Sequence, residues 1–231
     1  MAHALATTPK ERAEGVDPDG TVAFYERNAE DYARRTLASD LSDLYPELLD
    51  RLPPGGLVLD AGSGSGRDIR AFLDRGFRVE AFDASSRLAA LATELTGVEV
   101  AVRRFEDWEP PVARYDGIWC FASLLHVGRR ALPAVLAKLA SALRPGGWLF
   151  ASFKAGDEDL IDSAGRTFTN LTEGSARKLF ENRGDFTVTK AWQESGPAAL
   201  GGTTNWLYIL AKAAAPRDAE RPDNHGSKRT R

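Results

Sequence analysis

Four groups of residues have types and spacing suited to chemistry. Gly62, Gly64 and Gly66 occupy every second position after the apolar run Leu57-Val58-Leu59-Asp60, and a helix-forming stretch begins at Asp68. A strand, a glycine turn and a helix in that order are expected to aim backbone N–H groups and the positive end of a helix dipole at a crevice. Glycines there let the main chain approach a ligand where any Cβ would collide. Such a turn suits a nucleoside or a negative group. Asp83 stands 21 residues after Gly62 and ends the alternating stretch Phe77–Phe82, about where a carboxylate accepts both hydroxyls of a ribose. Phe105, Glu106, Asp107 and Trp108 offer an aromatic face and carboxylates to a purine and its exocyclic amine. His126, one of three histidines, follows another apolar run and could act as a base or orient a reaction partner.

These groups need elements that bring them to one place. Apolar runs near 57–61, 77–83, 97–102, 115–121 and 148–153 read as strands, separated by helical patterns near 68–73, 86–95 and 131–143. Strands alternating with helices imply βαβ units and a parallel sheet, with ligands outside the carboxyl ends of the strands. After a helix near 172–182, the strands at 185–192 and 204–211 have only the glycine-rich 196–202 between them, so they are expected to pair antiparallel at one edge. The fold class is therefore α/β: a seven-stranded, mostly parallel sheet with an antiparallel last strand and helices on both faces. Upstream, one helix over 19–37 carrying Phe24, Tyr25 and Tyr32, and a second over 40–52, form a helical cap. Residues 1–18 are expected to be a flexible arm, 19–215 a single domain (cap 19–52, core 57–215), and 216–231 a disordered tail.

Composition narrows the function classes. The 231 residues carry a net charge of −3, so no overall positive field draws the chain to nucleic acid or an anionic membrane. A single cysteine, Cys120, rules out an intrachain disulfide and fits a small buried hydrophobe. No His/Cys/Asp cluster has metal-ligand spacing, so no metal is expected. No run approaches the ~20 apolar residues of a membrane span, and the first residues lack a signal-peptide core. The expected location is cytoplasmic.

With these residues in place, the chain resembles the class I S-adenosylmethionine-dependent methyltransferases, whose sheet is Rossmann-like. Val58-Leu59-Asp60-Ala61-Gly62-Ser63-Gly64-Ser65-Gly66 is similar to their first motif. Asp83 matches the ribose-binding acid, Glu106-Asp107 the adenine edge, and Leu143-Arg144-Pro145-Gly146-Gly147 the turn before the fifth strand. The likeness covers roughly residues 23–214. Within the family, 115–127 and Ser152-Phe153-Lys154 resemble a bacterial branch labelled tellurite-resistance-like, a loose label that sets no substrate. The fourth strand lacks the Asn/Asp-Pro-Pro-Tyr/Phe ending of enzymes acting on adenine or glutamine nitrogens, which disfavours those substrates. A nicotinamide-dependent dehydrogenase is the nearest rival, but its third glycine lies three residues after the second, whereas Gly64 and Gly66 are two apart.

The resemblance implies S-adenosylmethionine as cofactor and S-adenosylhomocysteine as product. Its implied binding residues are Asp60, Gly62, Ser63, Gly64, Arg67, Asp83, Ala84, Phe105, Glu106, Asp107, Phe121 and Ala122, with Tyr32 and Arg35 from the cap. His126 and Tyr25 are the candidate catalytic residues, and Lys154 and Arg166 the candidate contacts to an acceptor. Asp60 has two open readings, touching the ligand or holding the turn. So has Trp108, which could cover the adenine or close its loop. The expected activity is methyl transfer to an O, N or S nucleophile of a small molecule by a monomer or homodimer. The alternatives are a macromolecular acceptor such as tRNA or protein, and a cofactor-binding sensor without chemistry.

Overall fold

The computed structural model describes residues 18–199 and 201–214. The expected arm and tail fall outside them, apart from Pro18, which opens the first helix. In chain order the elements are α1 (Pro18–Arg27), α2 (Ala29–Leu37), α3 (Tyr45–Leu49), β1 (Leu57–Ala61), α4 (Arg67–Asp74), β2 (Arg78–Asp83), α5 (Ser86–Thr96) and β3 (Val100–Val102). Then follow β4 (Tyr115–Cys120), a 3-10 turn (Leu124–His126), α6 (Leu132–Ala142), β5 (Leu143–Lys154), β6 (Leu160–Ile161), β7 (Thr167–Phe168), α7 (Glu173–Glu181), β8 (Phe186–Pro197) and β9 (Thr203–Ala213).

Seven strands form one sheet in the order β3-β2-β1-β4-β5-β9-β8. The first five are parallel, and β9 runs antiparallel to both β5 and β8. The expected sheet is thus the observed one. Strand order reverses between β1 and β4, so the carboxyl ends of those two strands flank the crevice. All five residues of β1 and all six of β4 are buried, the continuous burial of strands covered on both faces. Trp119 lies at the centre, wholly buried and stacked on Phe150 at 4.1 Å. Cys120 is buried beside it, as expected. Among the described residues no helix is long and apolar enough to cross a membrane.

Helix ends follow local chemistry. Ser85 Oγ accepts the Leu88 N–H to start α5, and Gly97 ends it in the left-handed conformation. Thr172 and Ser175 form a reciprocal cap on α7. The upstream helices differ from expectation. The single helix expected over 19–37 is two, divided at Asn28, whose side-chain amide donates to the Phe24 carbonyl at 2.8 Å and distorts the turn. The helix expected over 40–52 is regular only at Tyr45–Leu49, because Asp40 accepts the Ser42 N–H and makes a turn ahead of Pro46. The two-stranded ribbon β6–β7 was not expected. Asp162 folds it by accepting N–H bonds from Ala164 and Arg166.

Candidate active site

The glycine turn is held more tightly than its sequence implies. Gly62 and Ser63 both donate their N–H to Phe82 O, and Gly64 donates to Asp83 Oδ2 at 2.8 Å. The expected free N–H groups at these three positions are therefore spent within the protein. Two of the glycines are required by packing rather than by ligand contact. A Cβ at Gly62 (φ 81°) would sit 2.4 Å from Ser123 Cβ, and one at Gly66 (φ 80°) would meet Ala92 of α5 at 3.0 Å. The turn can be this compact because Ser123 and Ala92 are themselves small.

Asp83 closes the turn from the side. Its Oδ1 accepts the Ser85 N–H and its Oδ2 the Gly64 N–H, both at 2.8 Å. Burial lifts its pKa above the ordinary carboxylate range, against the pull of those backbone donors. Each oxygen keeps a further lone pair for a hydroxyl. Asp83 lines a cavity together with Gly62, Gly64, Ala84, Phe105 and Glu106. Helix α1 roofs it with Thr21, Val22 and Tyr25, and α2 contributes Tyr32. Thr21, Val22, Arg103 and Ser123 line the cavity too and were missed from the sequence. Their only signal is position beside a residue that was found.

Tyr25 and His126 are joined. Tyr25 Oη lies 2.9 Å from His126 Nε2, and His126 Nδ1 lies 2.7 Å from the Thr167 carbonyl. A carbonyl can only accept, so Nδ1 carries the proton and Nε2 accepts from the tyrosine hydroxyl. Burial pushes the histidine down to about 4, and the cations Arg166 and Lys154 act in the same direction. His126 is therefore neutral near pH 7, with its acceptor nitrogen engaged. Burial also raises the Tyr25 and Tyr32 hydroxyls, which remain protonated.

Arg166 and Lys154 line neither this cavity nor the next one described. Lys154 Nζ sits 3.4 Å from the centre of the Phe168 ring, and Arg166 lies over the rings of Phe24 and Phe168 while pairing with Asp162. They sit close enough to His126 for both charges to act on it. Asp60 is buried beneath the turn and lines no cavity. Its Oδ2 has no partner, and burial beside Asp68 raises its pKa well above the usual range. No hydrogen bond joins its side chain to the glycine turn among the described residues. Asp107 and Arg35 are also outside the cavities, Arg35 pairing with Asp31 on its own helix. Trp108 is buried against Phe82 within the loop, and Phe105 rather than Trp108 lines the cavity.

On the other side of the glycine turn, a second cavity is lined by Ser63, Arg67, Phe121 and the β9 residues Trp206 and Tyr208. Arg67 makes two bonds to the Asp68 carboxylate, at 2.7 and 2.9 Å, and Asp68 also accepts from Tyr45 Oη and Trp119 Nε1. The two cavities share Gly62, Gly64, Tyr32 and Ala122. Ala122 has the left-handed backbone (φ 51°) rare for a residue with a side chain, and Ser152 Oγ holds its N–H at 2.7 Å. Strain of this kind concentrates at functional sites.

A family model described as a methyltransferase domain matches residues 26–188. The chain belongs to this methyltransferase family. The match takes in the glycine turn, Asp83 and the 3-10 turn that carries His126. Relatives of this methyltransferase include the malonyl-[acyl-carrier protein] O-methyltransferase of Serratia marcescens, 36% identical over 105 residues, 45% of this chain and 40% of that protein. Another is the 2-methyl-6-phytyl-1,4-hydroquinone methyltransferase of Synechocystis, 34% identical over 106 residues, 44% of this chain and 33% of that protein. The matched stretch thus spans well under half of either relative. Among solved structures, the fold is that of the Burkholderia thailandensis 1,6-didemethyltoxoflavin-N1-methyltransferase, crystallised with 1,6-didemethyltoxoflavin and S-adenosylhomocysteine. The TM-score is 0.69 at 24% identity, over 89% of this chain and 93% of that one.

Proposed function

We propose that this methyltransferase uses S-adenosylmethionine to methylate a small molecule. The supporting observation is the first cavity: a buried carboxylate, Asp83, with lone pairs to spare, beside an aromatic face and a glycine turn. Asp83, Ala84, Phe105 and Glu106 would hold the adenosine half of the cofactor. The methionine half would lie along the Gly62, Gly64 and Ala122 main chain under Tyr32, where only carbonyls remain to accept from its ammonium. Bound there, the cofactor supplies a methyl group on a sulfonium, which departs leaving its bonding electrons on sulfur as a neutral thioether.

The chain's own contribution is alignment and exclusion of water by the roof of α1 and α2. Neutral His126 fixes the Tyr25 hydroxyl and does not stand as a free base, so the acceptor brings its own lone pair. The small-molecule reading is supported by the acceptors of two similar proteins, a phytyl-hydroquinone and 1,6-didemethyltoxoflavin. The tellurite-resistance-like branch rests on the residues after β4 and β5 and brings no acceptor with it. The test is calorimetric titration of wild type and Asp83→Ala with S-adenosylhomocysteine, S-adenosylmethionine and NADH. Micromolar binding of the sulfur nucleosides, lost in the variant, is expected. Binding of NADH alone would overturn the reading.

A further inference from the structure

The second cavity shares Gly62 and Gly64 with the first but has no carboxylate with lone pairs to spare, because Asp68 already accepts four bonds. Its floor is aromatic: Phe121 lies 5.7 Å from Trp206 and 6.4 Å from Tyr208 between ring centres, the latter pair nearly parallel. The Arg67 guanidinium lies 5.3 Å from the Phe121 ring. Arg67 adds no net charge, because Asp68 holds it through two bonds and the Thr36 carbonyl takes a third contact at 3.4 Å. One polar group is unmet: Ser63 lines this cavity, is 8% exposed, and its buried Oγ has no partner. Of the four buried side-chain atoms without partners among the described residues, Ser63 Oγ is the one whose residue lines a cavity. The junction with the first cavity is Gly62, Gly64, Tyr32 and the strained Ala122. Two ligands, one in each cavity, would meet there.

We propose that this second cavity is the acceptor site, and that it takes a planar, uncharged aromatic ring bearing one hydrogen-bonding substituent. Stacking on Phe121, Trp206 and Tyr208 favours a flat ring over an aliphatic one. A charged acceptor would find no unpaired counter-charge on these walls and would lose hydration on entry. Ser63 Oγ both donates and accepts, and a turn of its side chain about χ1 would bring the buried oxygen to a hydroxyl or ring nitrogen in the cavity. The acceptor role rests on the methyl-transfer reading above; the preference for an aromatic ring does not.

Trp206 reports occupancy directly. Its indole N–H donates to the Pro197 carbonyl at 3.3 Å, and the ¹⁵N-labelled indole signal is assigned by its loss in Trp206→Phe. The probe is 2-naphthol, with decahydro-2-naphthol as its saturated counterpart, added to full-length protein saturated with S-adenosylhomocysteine. The Trp206 signal is expected to move with 2-naphthol, to move little with the saturated alcohol, and to stay in place with S-adenosylhomocysteine alone. Trp206→Leu is expected to weaken 2-naphthol binding by about tenfold, read by calorimetry, with S-adenosylhomocysteine affinity unchanged. Equal shifts from both alcohols, or none, would overturn the proposal. So would displacement of 2-naphthol by S-adenosylhomocysteine, which would give the cavity to the cofactor. Absence of S-adenosylhomocysteine binding by calorimetry removes the methyl-transfer reading and the acceptor role with it, independently of the Trp206 signal.

Discussion

Asp83 holds the backbone of the turn and, in the proposed function, also the ligand. Replacing it with alanine strands the Gly64 and Ser85 N–H groups in a buried place, a cost of about 1–3 kcal/mol. Asp83→Ala is therefore expected to lower the urea midpoint as well as abolish nucleoside binding, and a midpoint equal to wild type would show that the turn holds without it. His126 gives a pH signature. Its pKa falls from 6.5 to about 4 on folding, so between those values the unfolded chain binds a proton that the native protein refuses. Stability is thus whole above pH 6.5 and drains away as pH falls towards 4. With each tenfold in proton affinity worth about 1.4 kcal/mol, the loss approaches about 3 kcal/mol. His126→Gln removes this slope, and equal slopes in urea titrations of the two proteins between pH 7 and 4 would contradict the assignment. Residues of this kind were partly legible in the sequence. Asp83 was found because strand, turn and acid have fixed spacing, whereas Ser63 and Ser152 matter through partners far along the chain that no spacing reveals.

At the scale of elements, α4 is pinned to the sheet through Asp68, which gathers Arg67, Tyr45 and Trp119 from three segments. Removing the acid leaves the buried Arg67 unpaired, and Asp68→Asn is expected to cost about 3–5 kcal/mol. Tyr45→Phe, which deletes one donor to that carboxylate, should cost about 1–2 kcal/mol. Thermal or urea unfolding ranks the pair, and equal losses would mean that Arg67 is content with water. The strands and the helices between them were readable because glycine and proline punctuate clear apolar runs. The division at Asn28 was not, since the helical spacing of Phe24, Tyr25 and Tyr32 continues through it. Nor was the second cavity: Trp206 and Tyr208 alternate like any strand, and only the register of β9 against β5 places them beside Phe121.

At the scale of the molecule, α1 and α2 roof the first cavity, so their motion sets how far its mouth opens. Polar contacts that seat these helices include Tyr25 on His126, Thr21 on the Thr167 N–H at 2.9 Å, and Thr36 on Ser65 at 2.9 Å. Hydrogen exchange in residues 20–37 is expected to be faster than in β1 and β4 and to slow when S-adenosylhomocysteine binds. Unchanged exchange on binding would mean that the roof is already fixed and the ligand enters elsewhere.

The underside of that roof also carries charge. Glu26 of α1 accepts N–H bonds from Ser86 and Arg87 at the start of α5, and Glu30 of α2 pairs with Arg87. These contacts face water, where dissolved ions weaken them, with an effect of a few-fold at most. The chain's net charge of −3 gives little long-range attraction to lose in return. Salt thus acts on this protein as a loosener of the closed state. In stopped-flow displacement, a bound nucleoside should leave faster at about 0.5 M than at about 0.05 M sodium chloride. In Glu26→Gln/Glu30→Gln that acceleration should disappear, because the roof has been unlatched beforehand.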